Sequence, residues 1–136
     1  MNPYLLTYVN APSPVSPHLA GKKMMENYSI LLLLDAQPDW LAKSRPERAD
    51  FYHSYLQPLF HQYASTCRIR LFDSEFFHAR ISDFILIETS NLADYQDLIE
   101  QLRDTAFYSV PYFAVRDIIV AKENAFLEYN ARQGIA

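Results

Sequence analysis

Residues 28–34 read YSILLLL and residues 82–89 read SDFILIET, and these two stretches decide the fold. Each is apolar at consecutive positions, so each predicts a strand covered on both faces rather than one with a wet side. Between them, Thr66 to Phe72 alternates Cys67, Ile69 and Leu71 against Arg68, Arg70 and Phe72, the pattern of an edge strand. A fourth strand is expected over Phe113–Ala121, interrupted by Arg116 and Asp117. Two helices fill the gaps. Ser44 and Glu47 form a capping box ahead of a stripe of Ala49, Tyr52, Tyr55, Leu56, Leu59, Phe60 and Tyr63. Pro58 lies inside that helix and cannot donate to the carbonyl of Ser54, so it should kink or split it. Asn91 caps the second helix, with Leu92, Tyr95, Ile99, Leu102 and Ala106 as its buried stripe.

The order β-α-β-β-α-β predicts an α+β ferredoxin-like sandwich with an antiparallel sheet in the order 4-1-3-2. The doubly apolar strands then sit in the middle, as they must. Two helices cover one face only. The economical cover for the other is a second copy of the same sheet, a homodimer of the dimeric α/β-barrel type. Alternation gathers Leu31, Leu33, Phe84, Leu86, Phe72 and Arg70 on that second face if the helices take the opposite parity.

Composition bounds the rest. The 136 residues are 50% hydrophobic with a net charge of −4, which fits one domain that binds neither nucleic acid nor a membrane surface, both of which favour a basic surplus. The longest apolar run, Ile30–Leu34, is far short of the roughly 20 residues that cross a bilayer. A lone cysteine, Cys67, excludes an internal disulfide and fits the reducing cytoplasm. Four of eight prolines fall in the first 17 residues, so residues 1–25 read as a Pro-rich extension, dispensable for folding. The domain is expected over 26–126, and 127–136, with no clear period, reads as a C-terminal tail.

The stretches LLLLDAQPDWLAKSRPERADF, LQPLF, RLFDSEFFHARISDF, LRDTAFY and YFAVRDIIVAKENAF resemble the darcynin family of small bacterial proteins, from about Tyr28 to Phe126. The resemblance implies a βαββαβ domain of the dimeric α/β-barrel kind. It implies no activity. That architecture hosts oxygenases, isomerases, haem enzymes and plain binding modules, so fold alone cannot choose a mechanism.

Topology places candidate chemistry. The long connections, 35–43, 73–81 and 107–112, all fall at one end of the sheet, where binding residues tend to gather. Arg80, Asp83 and His78 are the catalytic candidates there: an anchored cation and carboxylate, with a base the carboxylate could hold. Their structural readings are a salt bridge that pins the hairpin and a loop-capping hydrogen bond. Trp40 and Tyr112 are candidates to cover a planar ligand, although an aromatic beside a helix start more often closes a core. Arg70 and Glu88 are a further ligand-binding pair, or a cross-strand ion pair that needs no ligand. No metal site is expected, because His53 and His61 lack ligand spacing and Cys67 has no partner. No cofactor is expected either: the two glycines, Gly21 and Gly134, cannot build a phosphate loop, and nothing supports a haem ligand. SDFILIET lacks the glycine and paired aromatics of an RNA-recognition strand.

Two functions stay open. One is a binder of, or cofactor-independent enzyme for, a small planar or anionic molecule at the long-loop end. The alternative is a non-catalytic dimeric protein-interaction module. A wet pocket in which Arg80, Asp83 and His78 converge supports the first; loops packed onto one another support the second.

Overall fold

The computed structural model describes residues 27–135; the Pro-rich stretch 1–25 lies outside the described residues. Four strands, β1 (Tyr28–Ala36), β2 (Cys67–Asp73), β3 (Asp83–Thr89) and β4 (Phe113–Lys122), form one antiparallel sheet in the order β2-β3-β1-β4. This is the 4-1-3-2 order expected, with the two doubly apolar strands in the centre. The helices are α1 (Pro38–Leu41), α2 (Arg45–Phe51), α3 (Gln57–Gln62), α4 (Leu92–Arg103), α5 (Ala106–Ser109) and α6 (Ala125–Arg132).

One face of the sheet carries the core. Ile30, Leu32 and Leu34 of β1 join Cys67, Ile69 and Leu71 of β2 and Ile85 and Ile87 of β3 beneath Leu56, Leu59, Phe60, Leu98 and Leu102. Each such side chain contributes about 1.5–3 kcal/mol of transfer free energy. None of Leu31, Leu33, Phe72, Phe84 or Leu86 belongs to that cluster, so the helices take the parity that leaves these five on the other face.

The predicted capping box is present, with the Glu47 amide donating to Ser44 Oγ at 3.2 Å and the Ser44 amide donating to Glu47 Oε1 at 2.8 Å. Pro58 does divide the helix that follows. Residues Tyr52–Leu56 form a π-helical turn, closed by the Gln57 amide on the Tyr52 carbonyl, between α2 and α3. Widening the turn bypasses the Ser54 carbonyl, which Pro58 has no amide to meet. Tyr52, Leu56, Leu59, Phe60 and Tyr63 are buried as the stripe predicts, whereas Tyr55, expected with them, is 58% exposed.

Three details differ from the sequence-based expectation. On α4 the buried residues are Leu98 and Leu102, while Leu92, at the mouth of the helix, is 40% exposed. Arg116 does not simply interrupt β4. Leu33 pairs with Asp117 and Leu34 with Val115, so Arg116 is the extra residue of a β-bulge. The bulge brings its guanidinium 2.7 Å from Asp35. Finally, residues 125–132, read as part of an aperiodic end, form α6.

Candidate functional site

At the long-loop end the strand termini are laced together by short bonds. The Gln37 amide donates to the Tyr112 carbonyl at 2.8 Å, and the Ser82 amide donates to the Leu34 carbonyl at 2.9 Å. The Ala36 amide donates to Ser82 Oγ at 2.7 Å. Trp40 is 1% exposed and packs on Phe51, Tyr112 and Phe113, with ring centroids 5.9, 5.5 and 5.1 Å away. Arg48 seals its outer side, stacking 5.9 Å from the indole and donating to the carbonyls of Trp40 and Leu41. Trp40 therefore closes the core. Tyr112 is half-buried against it, under the Lys43 ammonium at 5.1 Å.

The hairpin loop between β2 and β3 is ordered from within. His78 Nδ1 accepts from the amides of Arg80 at 3.1 Å and Ile81 at 2.9 Å, so this nitrogen carries no proton and the ring caps its own turn. Ser74 Oγ donates to the Ile81 carbonyl at 2.7 Å. Among the described residues no ion pair joins Arg80 to Asp83. Arg80 is exposed, whereas Asp83 is fully buried on the helix-covered face. The three residues proposed as a catalytic set are thus held apart, two on the exposed turn and one beneath the sheet end.

Asp83 has another neighbour. In the β2–β3 register it stands opposite Asp73. Carboxylate oxygens of Asp73, Asp83 and Glu75 lie within 4.8 Å of one another, a spacing at which carboxyl groups share a proton or a cation. Burial pushes the Asp83 carboxyl above its ordinary range, and the hydrogen bond with Asp73 pushes it the same way. Ser82 Oγ donates to Asp83 Oδ2 at 2.7 Å and holds the group in place. Asp73 was legible as its partner from sequence, because residues equidistant from the middle of a hairpin loop face each other across it.

Arg70 and Glu88 lie on the other face, 2.6 Å apart on neighbouring strands, with Arg70 also 5.8 Å from the Phe72 ring. This is the cross-strand ion pair. Cys67 is fully buried, and burial pushes its thiol upward, away from the thiolate that nucleophilic chemistry needs. No helix among the described residues is long and apolar enough to cross a membrane.

The sheet face that carries Arg70 is apolar around that pair. Phe72 and Phe84, opposite each other in register, stack with centroids 4.7 Å apart and planes at 14°. Leu31 pairs with Leu86 and Leu33 with Phe84, which extends the patch across three strands.

Comparison with known proteins places this geometry. A mutant chlorite dismutase from Candidatus Nitrospira defluvii superposes with a TM-score of 0.63 at 10% identity, over 74% of this chain and 41% of that one. At that identity the likeness establishes the fold alone, and the chain spans well under half of the solved protein. In sequence the chain is 38% identical over 91 residues to Darcynin 1 of Acinetobacter baumannii, which covers 67% of this chain and 100% of that protein. It is 36% identical over 98 residues to a darcynin homolog of Streptomyces avermitilis, 72% of this chain and 80% of the relative. The family profile described as Darcynin, a domain of unknown function, matches residues 21–136. The chain is a member of the darcynin family, built on a ferredoxin-like α+β sheet.

Proposed function

We propose that this darcynin domain acts as a self-associating module whose second sheet face, half-buried at Leu31, Leu33, Phe72, Phe84 and Leu86, pairs with the same face of a second copy. One observation carries the reading: the stacked Phe72–Phe84 pair and its leucine neighbours form a contiguous apolar patch outside the core cluster. A patch of this kind on a small domain marks an interaction surface. A two-fold contact through it is isologous and closes at two copies. The packing at the long-loop end supports the same choice, since Trp40 and His78 are spent on the core and on a turn.

Sedimentation of the unmodified protein, beside Leu33→Lys with Leu86→Lys, tests this. The wild type should sediment as a self-associated species at micromolar concentration. The double variant should lose that contact, because unpaired lysines buried in an apolar interface are costly. A monomeric wild type overturns the reading.

A second reading rests on the buried Asp83 and its neighbour Asp73. A buried carboxyl whose proton affinity is raised, hydrogen-bonded to a second carboxyl, can act as a general acid toward a small anionic or planar molecule at the sheet end. Native mass spectrometry of protein purified from its source, against Asp83→Asn, tests that reading. It requires a bound small molecule that the variant lacks.

A further inference from the structure

Helix α6 closes with a clear stop signal, yet none of its residues is buried. Asn124, in the left-handed region at φ 51°, turns the chain out of β4, and its carbonyl accepts from the Leu127 amide at 2.9 Å. At the far end Gly134, at φ +72°, completes a Schellman stop: the Ile135 amide donates to the Asn130 carbonyl at 2.8 Å and the Gly134 amide to that of Ala131 at 3.2 Å. An isolated helix of fewer than about 12 residues is marginal in water, so these eight residues call for a packing surface.

Glu128 is the residue that ties the helix to the body. Glu128 lies 2.6 Å from Lys122 Nζ and is half-buried with Asn130. Phe126, Leu127 and Tyr129 point outward, 62%, 53% and 55% exposed. The same chain carries an open groove of about 340 Å³ between α4 and β4, lined by Leu92, Tyr95, Gln96, Ile99, Glu100 and Val120. This groove explains why Leu92, expected in the core, is exposed, and why Val120 is 50% exposed.

We infer that α6 docks into the α4–β4 groove of a second copy. The surfaces match in kind: an apolar helix side carrying Arg132 one turn from its aromatic residues meets an apolar trough with Glu100 on its lining. They also match in number, since each copy offers one helix and one groove and reciprocal exchange satisfies both. The contact goes beyond the sheet-face pairing and uses a separate surface, so either can fail without the other.

Cross-linking tests it. Phe126→Cys and Gln96→Cys are made in separate full-length chains, where the fully buried Cys67 is shielded, then mixed and treated with a short bifunctional maleimide. The expected product is a covalent pair containing one chain of each variant, which disappears when the mixture is unfolded in urea before treatment. Three results overturn the inference: no covalent pair, Phe126→Cys linked mainly to itself, or a doubly substituted chain linking within itself as a monomer. Circular dichroism of each variant beforehand confirms that the chains compared are folded.

Discussion

Trp40→Ala should be among the most damaging single substitutions in this domain. The indole is 1% exposed and touches three other rings, and Arg48 covers it from outside through a cation–π contact and two hydrogen bonds to neighbouring carbonyls. Truncation removes the transfer free energy of a large aromatic and leaves a cavity that Phe51 and Phe113, both anchored in regular elements, cannot collapse to fill. Substitutions of this kind cost about 3–5 kcal/mol. Against a total stability of about 5–15 kcal/mol that is a large fraction. Urea unfolding followed by far-ultraviolet circular dichroism gives the difference directly, since the midpoint should fall without a change in slope. The wild type offers an independent check: Trp40 is the sole tryptophan, so its emission should be blue-shifted and resist quenching by iodide. A loss below about 1 kcal/mol, or ready quenching, would show that Trp40 faces solvent as a ligand-stacking residue and that the loops are open.

Three further outcomes follow from the same contacts. Asp83 has its folded-state carboxyl raised by burial, so the stability it contributes is fully present below the unfolded value near 3.8 and is lost as pH rises through the folded value. Asp83→Asn should therefore flatten the decline of melting temperature with rising pH, and a steeper decline refutes the assignment. A double-mutant cycle of Arg70→Met and Glu88→Gln should give a coupling of about 0.2–1 kcal/mol that weakens in salt, as suits a pair 39% and 28% exposed. The Tyr52 hydroxyl is buried without a hydrogen-bond partner among the described residues, and burial pushes it up to about 12. Tyr52→Phe should hold or raise the urea midpoint, and a loss above about 1 kcal/mol would reveal a bond to that hydroxyl.

The sheet was legible because its signals are local and redundant. Two doubly apolar strands flanked by two amphipathic ones admit few arrangements, and the capping box at Ser44 and the break at Pro58 each follow from one residue's chemistry. The outward turn of Tyr55 within the π-helical turn was not legible, although Leu56, Leu59, Phe60 and Tyr63 are buried where the spacing predicts. Nor was α6. Its apolar residues mark an outward-facing side rather than a core stripe, and its boundaries rest on Asn124 and Gly134. At the candidate site the residues were visible in the sequence but their neighbours were not. Asp83 was visible, but side-chain alternation puts it under the helices, while Arg80 and His78 belong to a turn whose internal bonds depend on three-dimensional closure.

In the proposed assembly the face bearing Phe72 and Phe84 meets its own copy. An isotope-filtered nuclear Overhauser experiment on an equal mixture of labelled and unlabelled protein tests it at residue level. Intermolecular cross-peaks are expected between the methyl groups of Leu31, Leu33 and Leu86 and the rings of Phe72 and Phe84. Their absence from a sample that sediments as a self-associated species, with cross-peaks only from other surfaces, would contradict it.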